Sequence, residues 1–438
     1  MTAQTYIISF LLNDSYLEEF VHYGEVTSAP DAAKLLIVSS AFFDDGVYGM
    51  GATLPQTPFA KLPDSDIPFL FGESRIERTA DGLIILYADL VASAYFMLSR
   101  YEEIIKPNCR DLHGRFLAKD SVVFQEGYGM RPLVDDWGRY IRNLLRQAGV
   151  DVSEEKHGFR KIYLTHDVDS PFLLFRTEQV VKQWVKNLIH HGKKVSRPFY
   201  VYKHPENDPY NTFSRIIKVD NDLREKIGQN LVEPMYFLIA AGSRKTKSYC
   251  NILLKKYQDL IEKIFESGAT LGLHVSYEAG QVSELIKSEL ARLLEHYPNS
   301  SAKSRHHFLR WSEPEHIDDM EAAGITDDFT LGYADSVGFR VGTCRPYYFI
   351  NPRTQRVTNV LEHPMQVMEC SLDRPNYMGL GYEAALQLCR RLIDTTYDFN
   401  GELVLLFHNP IWADGSYYGR LYDDLLEYVA KLCLKNQL

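Results

Sequence analysis

From Lys161 to the C-terminus, short apolar segments that favour strands alternate with longer segments of helical character. This alternation is typical of βα units, which build a parallel sheet covered by helices. The sequence predicts seven strands in this part of the chain, at residues 161–165, 235–240, 270–273, 307–311, 329–333, 366–369 and 402–407. We therefore expect an α/β fold in the form of a distorted (β/α)7 barrel.

The preceding region, residues 1–150, has a different pattern and is predicted to be a smaller α/β accessory domain. Its predicted elements are strands at 6–11, 34–39 and 82–87 and helices at 89–105 and 137–145. The stretch 147–157 is polar and charged, as is typical of a linker. The barrel is therefore expected to occupy residues 158–438.

Charge and composition exclude several classes of protein. The net charge of −10 disfavours nucleic acid as a partner, because phosphate binding requires a basic surface. No stretch of about 18 uncharged apolar residues occurs, so we expect no integral membrane segment. The first twenty residues contain Asp14, Glu18 and Glu19 instead of the basic and apolar parts of a signal peptide, which predicts a cytoplasmic protein. The six cysteines are scattered without a CxxC pair, so a zinc ribbon or a disulfide framework is not expected.

The insertion between the first two predicted strands contains a basic segment from Arg176 to Lys203. It holds seven lysines and arginines but a single acid, Glu178, and apolar residues are interleaved with the charges. This pattern predicts an amphipathic surface helix with a solvated basic face. The alternative is a lid, or a surface that contacts an anionic glycan or a membrane.

Polar side chains stand at the ends of three predicted strands. Asp167 and Asp169 follow the first strand, His274 follows the third, and His408 follows the last. In a (β/α) barrel the carboxyl ends of the strands form one rim, and active sites form there. These four residues are therefore expected to meet at the rim, with groups that bind a metal or transfer a proton.

The residue types at this rim suit a metal-dependent hydrolysis. One aspartate could ligate a divalent cation while the other stays free as a general base, although an Asp-x-Asp pair before Ser170 and Pro171 also makes a good loop start. His274 favours ligation of zinc or a similar ion. Glu278 would share a face with His274 if a helical turn begins there; otherwise it is an exposed acid at a helix start. His408 suits a general acid that protonates a leaving amine.

A segment dense in functional residue types runs from Arg305 to Trp311. Either His306 or His307 could ligate a metal, and Arg305 or Arg310 could orient a carboxylate through a bidentate contact. Further on, the loop at 338–343 contains two glycines and is expected at the substrate mouth. The candidate substrate-binding residues are Tyr277, Arg310, Trp311 and Arg340.

At these residues the chain resembles the NodB-homology polysaccharide deacetylases, which form carbohydrate esterase family 4. Within that family it resembles a divergent branch that carries an extra N-terminal domain. The first family motif, a Thr-x-Asp-Asp strand end, is matched at 165–169 with one residue inserted. The second motif, His-(Ser/Thr)-x-x-His, is matched at 274–278, where Glu278 replaces the second histidine.

Two further motifs are matched at strand ends. The third, Arg-x-Pro, is matched at Arg305, with His307 in the position of the proline. The last, Leu-x-His, is matched at 406–408, while the tryptophan-flanked fourth motif has no clear counterpart. The candidates to tune the last histidine are Glu362, His363 and Glu369.

The resemblance implies a role for each matched residue. Asp167 is expected to be the catalytic base, held by Arg305, and His408 is expected to be the catalytic acid. Asp169 and His274 are expected to bind a divalent metal ion, which we expect to be zinc. The candidates for the third metal ligand, left open by the missing histidine, are Glu278 and His307.

These roles predict the hydrolysis of N-acetyl groups on amino sugars in a polysaccharide or its precursor, with release of acetate. Two other hypotheses stay open: a glycan-binding pseudoenzyme that has lost the metal, and a metal-dependent amidase that acts on a non-sugar amide. The altered second motif favours the pseudoenzyme, and metal content separates it from the deacetylase. The absence of GxSxG and HExxH motifs from the sequence disfavours a serine hydrolase and a zinc protease of those types.

Overall fold

A computed structural model describes residues 2–30, 32–174, 177–190, 197–240, 255–312, 314–412 and 416–435. Within these ranges the chain is a mixed α/β structure with two principal sheets. One has four strands and lies in the N-terminal region, and the other has nine strands and curls. Helices pack against the nine-stranded sheet.

The N-terminal region contains helix α1 (Ala3–Leu12), strands β1 (Val21–Gly24), β2 (Leu35–Val38), β3 (Ala60–Lys61), β4 (Pro68–Phe69), β5 (Gly72–Arg78) and β6 (Ile84–Ala88), and helices α2 (Leu90–Leu98), α3 (Tyr101–Ile105), α4 (Val122–Gln125) and α5 (Leu133–Gln147). The four-stranded sheet has the order β1-β2-β6-β5, in which β5 alone is antiparallel to its neighbour among these described strands. Helix α2 is buried along its whole length. The predicted strands at 34–39 and 82–87 and the predicted helix at 137–145 are confirmed, with shifted ends. The helix predicted at 89–105 is instead two helices, α2 and α3, because Arg100 between them is left-handed, with a φ of 54°.

The predicted strand at residues 6–11 is wrong, because these residues lie in α1. The hydroxyl of Thr2 accepts a hydrogen bond from the backbone N–H of Thr5 and caps the start of the helix. Asn13 ends it in the left-handed conformation, with a φ of 52°. Ile7 and Leu11, four residues apart, are fully buried. The apolar run thus forms one face of a helix, an ambiguity that short apolar segments always carry.

The C-terminal region contains strands β7 (Lys161–Val168), β8 (Val232–Ile239), β9 (Thr270–Val275), β10 (Lys303–His306), β11 (Asp327–Asp328), β12 (Tyr347–Asn351), β13 (Arg356–Glu362), β14 (Val367–Met368) and β15 (Glu402–Leu406). Its helices are α6 (Thr177–His190), α7 (Arg197–Lys203), α8 (Phe213–Ile227), α9 (Lys255–Glu266), α10 (Leu285–His296), α11 (Glu315–Ala323), α12 (Cys370–Asp373), α13 (Tyr382–Asp398) and α14 (Tyr418–Lys435).

The strands of this region follow the order β12-β13-β11-β10-β9-β8-β7-β15-β14 within the described residues. Neighbouring strands are parallel except in the hairpin β12–β13. Residues 363–369 run from β11 to β15: the backbone N–H of His363 donates to the Asp328 carbonyl at 2.9 Å, and that of Glu369 donates to the Leu406 carbonyl at 3.2 Å. The curled sheet is compatible with a distorted barrel. The specific (β/α)7 arrangement stays a prediction.

Two predicted strands are misplaced along the chain. The fourth strand is Lys303–His306 instead of 307–311, and the fifth is Asp327–Asp328 instead of 329–333. Strand β10 escaped the hydrophobic pattern because its buried residues Ser304, Arg305 and His306 are polar. The hairpin β12–β13 was not predicted at all.

The N-terminal and C-terminal regions share a hydrophobic core. The shared buried cluster includes Leu11 and Trp137 from one region and Val341, Tyr347 and Phe349 from the other. Two ion pairs are buried at the same junction, Arg345 with Asp135 at 2.7 Å and Arg340 with Glu103 at 2.6 Å. Breaking a buried pair leaves an uncompensated charge in the interior, so the two regions are held together by packing and by charge. The predicted domain boundary between 150 and 158 stays a prediction.

The basic segment that follows β7 is only partly described. Helix α6 occupies Thr177–His190, where an amphipathic helix was predicted. Residues 175–176 and 191–196, which include Arg176, Lys193 and Lys194, lie outside the described residues. Leu188 and Ile189 on α6 are exposed by 54% and 69%. The role of this segment stays a prediction.

Two further expectations concern composition. None of the helices in the described ranges combines the length and the apolar character that a membrane span requires. The cysteines at 109, 344, 370, 389 and 433 are free thiols, and Cys250 lies outside the described residues.

Candidate metal-binding and active site

The carboxyl end of β7 carries Asp167, a buried aspartate held by an arginine of β10. The Arg305 guanidinium donates to Asp167 Oδ1 at 3.0 Å and to Thr165 Oγ1 at 2.8 Å. Its Nε–H donates to the Phe329 carbonyl at 2.9 Å, and the side chain is fully buried. These bonds fix the guanidinium and bind one oxygen of Asp167. The other oxygen, Oδ2, lies 3.7 Å from His274 Nε2.

Asp169, just beyond β7, meets two histidines that follow neighbouring strands. Its Oδ1 lies 3.0 Å from His274 Nε2, at the end of β9, and 3.4 Å from His307 Nε2, just after β10. One ligand atom of each residue lies within 4.8 Å of the other two. Because β8 separates β7 from β9, the curl of the sheet is what brings these three strand ends together. Of the two candidate third ligands, His307 belongs to this group and Glu278 does not.

The donor atoms of this group fit a divalent cation. His274 Nδ1 lies 2.9 Å from the Arg305 carbonyl, so Nδ1 carries a proton and Nε2 is the nitrogen that faces Asp169. His274 Nε2 and Asp169 Oδ1 are both buried, and neither has hydrogen-bond geometry with any group of the described residues. Two imidazole nitrogens and a carboxylate oxygen form a ligand set that zinc accepts in catalytic sites. Asp169, His274 and His307 are therefore the residues able to hold a metal here.

The charges of this group are coupled. Burial disfavours the ionised form of Asp169, but His307 and His274 outweigh burial and hold the pKa of Asp169 well below its ordinary value. Burial likewise lowers the pKa of His274, but Asp167 and Asp169 outweigh it, and the pKa of His274 is raised. The two carboxylates thus favour the protonated form of His274.

His307 reaches the group because the chain turns sharply after β10. Residues His307–Leu309 form a 3-10 turn, in which Phe308 and Leu309 have φ values of 62° and 52°. The left-handed conformation is unfavourable for residues with a Cβ atom. Such positions concentrate at functional sites, where the surrounding structure enforces them. Here the turn directs His307 inward while Phe308 stays 44% exposed.

His408, just beyond β15, is fixed by Glu369, which follows β14. Its Nδ1 lies 2.6 Å from Glu369 Oε1, and its backbone N–H donates to the same oxygen at 3.0 Å. Its Nε2 lies 4.0 Å from Asp167 Oδ2 and 3.7 Å from Asp169 Oδ2. Burial lowers the pKa of His408, but Glu369 outweighs burial and raises the pKa well above its ordinary value. Glu369 thus favours the protonated ring, and Nε2 is directed at the two aspartates.

Glu369 is therefore the candidate partner that meets His408. The other two candidates, Glu362 and His363, bond to other residues. Cys370, next to Glu369, places its Sγ 3.4 Å from Glu369 Oε1 and 4.0 Å from His408 Nδ1. Glu369, Cys370 and His408 thus form a second group whose atoms are close enough to hold a cation.

A cleft of about 400 Å³ opens beside Asp169 and His408. Its wall also includes Tyr210, Arg374, and the pair formed by the Tyr418 hydroxyl and Asp373. Clefts of this size with a few polar side chains are typical of small-ligand sites. The imidazole of His408 and the carboxylate of Asp169 therefore both face a space that a ligand can enter.

Tyr277 and Arg310, two candidate substrate-binding residues, lie beside the turn that carries His307. Arg310 donates to the Tyr277 carbonyl at 2.8 Å, and its guanidinium lies 4.1 Å from the centre of the Tyr277 ring. The rings of Tyr277 and Phe308 are also in contact, with centroids 5.4 Å apart. The role of Tyr277 and Arg310 in substrate binding stays a prediction.

The structure does not bring Glu278, Trp311 or Arg340 to the Asp169 group. Trp311 is 1% exposed and packs in the core. Arg340 is buried at the junction of the two regions, where its charge is balanced by Glu103. Glu278 lies near Glu289, whose pKa is raised by burial and, less strongly, by Glu278. The surroundings of Trp311 and Arg340 thus account for these two side chains.

Sequence reasoning did not assign Thr165, Cys370 or Arg115 to this site. Thr165 and Cys370 stand at the ends of predicted strands, so their position was a usable signal. Arg115 comes from the N-terminal region, and its guanidinium reaches the Phe308 carbonyl. The only local signal for Arg115 is the density of functional residue types at 111–116.

Comparisons with known proteins give one family match and a structural similarity. Residues 5–149 match a family described as "Family of unknown function (DUF7033)", a match that ends before β7. No curated protein matches the chain. Among solved structures, the chain is similar to "Crystal structure of putative polysaccharide deacetylase from Mycobacterium smegmatis", at 16% identity and a TM-score of 0.39, over 64% of this chain and 86% of that chain.

Proposed function

We propose that this protein is a metal-dependent hydrolase that removes N-acetyl groups from amino sugars in a polysaccharide or its precursor and releases acetate. The observation that carries the proposal is that three units meet at one edge of the sheet. They are a carboxylate bound by an arginine, a group of three potential metal ligands, and an imidazole bound by a glutamate. The members of these units are Asp167 with Arg305, Asp169 with His274 and His307, and His408 with Glu369. We further propose that the curled sheet is a distorted (β/α)7 barrel, in which residues 363–369 complete the wall between β11 and β15.

Asp167 is the proposed general base. Arg305 holds Oδ1, so Oδ2 is the oxygen that can accept a proton from water. The same oxygen faces His274 and His408, at 3.7 Å and 4.0 Å from their Nε2 atoms. The base is thus aimed at the place where the metal group and the acid also converge.

His408 is the proposed general acid. Amide hydrolysis adds the oxygen of water to the acetyl carbon and breaks the carbon–nitrogen bond, and the departing amine is a poor leaving group unless it is protonated. Glu369 accepts from Nδ1 and favours the imidazolium, which leaves Nε2–H free to supply that proton. The products are acetate and a free amino group, and the proton taken up by Asp167 balances the one given by His408.

A metal fits this scheme at Asp169, His274 and His307. When bound there, a divalent ion, zinc in this proposal, supplies a Lewis acid for the acetyl carbonyl and makes water more acidic. The neighbouring cleft, with Tyr210 and Arg374 in its wall, supplies room and polar contacts for a sugar unit.

The first test is metal content, measured by elemental analysis after incubation with zinc, cobalt or nickel. The wild-type protein is expected to hold close to one divalent ion per chain, and Asp169→Ala and His274→Ala are expected to lose it. The exposed histidine variant His157→Ala is the matched control and is expected to keep it. A wild-type protein that binds no divalent ion would sink the proposal.

The second test is acetate release from a panel of substrates. N-acetylated amino-sugar oligosaccharides are expected to release acetate with the wild-type protein and not with Asp167→Ala. Non-sugar acetamides serve as the comparison set. Turnover of the acetamides without turnover of the sugars would contradict the proposed substrate class while leaving the metal chemistry intact.

A further inference from the structure

A loop of the N-terminal region reaches the turn that carries His307. Arg115, which is 7% exposed, donates from Nη1 to the Phe308 carbonyl at 3.1 Å. Its Nη2 also donates to the Tyr377 hydroxyl at 3.1 Å. The guanidinium thus links the turn after β10 to the segment that follows α12.

Asp111 holds Arg115 in place within the same loop. Asp111 Oδ2 accepts from Arg115 Nε at 2.9 Å and Nη2 at 2.6 Å, and Oδ1 accepts from the backbone N–H groups of His113 at 2.8 Å and Arg115 at 2.9 Å. Gly114 has a φ of 78°, which lets the loop turn back on itself. Four hydrogen bonds to one carboxylate make this loop a fixed support for the guanidinium.

The turn needs such a support. Phe308 and the residue after it are both left-handed, and a chain without outside contacts would relax from that conformation. Arg115 holds the Phe308 carbonyl, and the ring of His113 contacts the Phe308 ring with centroids 4.8 Å apart. Because His307 precedes Phe308, relaxation of the turn would carry its imidazole away from Asp169.

We infer that the N-terminal region completes the metal site of the C-terminal region, with Arg115 as a positioning residue for the metal ligand His307. The inference rests on the proposed function, because it takes the Asp169 group to be a metal site. It gives the residues matched by the family of unknown function a task at this site: they enforce the backbone conformation that brings the third ligand to the other two.

The test compares cobalt affinity, measured by spectroscopic titration of the full chain, in the wild type and in Arg115→Ala. Removing a group that orients a metal ligand typically costs about 10–100-fold in affinity, and we expect that loss here. Arg110→Ala is the matched control, since Arg110 lies in the same segment and donates to the carbonyls of Glu103, Lys106 and Cys109 instead of the turn. Its cobalt affinity is expected to equal that of the wild type.

A second variant separates positioning from general packing. Phe308→Gly removes the Cβ atom that makes the left-handed conformation unfavourable, so the turn needs less support. The double variant Arg115→Ala/Phe308→Gly is therefore expected to regain most of the lost cobalt affinity. A merely structural role for Arg115 would lower the melting temperature of both variants and would give no rescue.

The outcomes divide cleanly. A wild type that binds cobalt, a weakened Arg115→Ala and a rescued double variant support the inference. A wild type that binds cobalt while Arg115→Ala binds it equally well overturns the inference and leaves the proposed function standing. If Arg115→Ala does not fold by circular dichroism, Arg115→Met, which keeps an apolar stem but has no donor, takes its place, and an unchanged cobalt affinity there overturns the inference as well. A wild type that binds no divalent ion overturns both.

Discussion

Replacing Arg305 by alanine tests how much the buried ion pair of the site contributes to the stability of the fold. Arg305 is fully buried and donates to Asp167, Thr165 and the Phe329 carbonyl. Its loss leaves the buried carboxylate of Asp167 without its counter-charge, and breaking a buried pair in this way typically costs about 3–5 kcal/mol. We therefore expect Arg305→Ala to be folded but clearly destabilised.

This loss of stability can be expressed as a decrease in the melting temperature. Unfolding entropies of about 2.1 cal/mol/K per residue give roughly 0.9 kcal/mol/K for a chain of 438 residues that melts as one unit, as the shared core indicates. The expected decrease for Arg305→Ala is then about 3–5 °C by calorimetry. The double variant Arg305→Ala/Asp167→Asn is expected to recover part of it, because asparagine needs no counter-charge.

Arg75→Ala is the matched control for this experiment. Arg75 contacts two carboxylates, Glu73 and Glu77, but its side chain is 44% exposed. Exposed pairs contribute little, so the melting temperature is expected to change by less than about 1 °C. If Arg305→Ala also melts within about 1 °C of the wild type, the buried pair does not support the fold and the reasoning is refuted.

Three other variants or conditions probe the site. Glu369→Gln is expected to lower the pKa of His408, which Glu369 raises, so the alkaline limb of the pH profile for acetate release should move to lower pH; an unmoved limb would contradict this role. His408→Ala is expected to lose acetate release by about 10²–10⁴-fold while keeping its metal, and loss of metal would place His408 among the ligands. Metal affinity is expected to weaken as the pH falls through the raised pKa of His274, because the proton and the cation compete for one nitrogen; a flat titration series below neutrality would speak against His274 as a ligand.

The strands that sequence reasoning located well are those whose side chains are apolar on both faces. Strands β7, β9 and β15 lie where continuous apolar runs predict them. Strand β10 has the polar residues Ser304, Arg305 and His306 in its interior, and hydrophobic patterning cannot detect it. The polar residues of the candidate site therefore made β10, the strand that supplies Arg305, undetectable by hydrophobic pattern. Functional sites are a common place for such local rules to fail.

The site was predictable as far as strand ends determine it. The predicted ends of β7, β9 and β15 are sufficient to expect Asp167, Asp169, His274 and His408 at one edge of the sheet. The choice of His307 over Glu278 depends on a left-handed turn that no glycine announces, so the sequence left it open. Likewise, Glu369 meets His408 because β14 pairs with β15, a neighbour relationship that no local pattern encodes.

The contribution of the N-terminal region could not be predicted for a simpler reason. Arg115 and the turn at Phe308 are 193 residues apart, and neither residue type is unusual for its neighbourhood. A hydrogen bond over that separation exists only once both regions are folded against each other. The motif resemblance cannot reveal this hydrogen bond, because the motifs lie wholly in the C-terminal region.

The ion pairs buried at the junction also constrain how this chain can change over generations. Arg345 and Asp135 are 210 residues apart, and Arg340 and Glu103 are 237 apart, yet a substitution of one partner strands the other charge in the interior. Acceptable changes must therefore alter both partners together. A half taken from a distant relative would bring the wrong complement of charges, so we expect the two regions to pass from ancestor to descendant as one unit and to resist shuffling into other proteins.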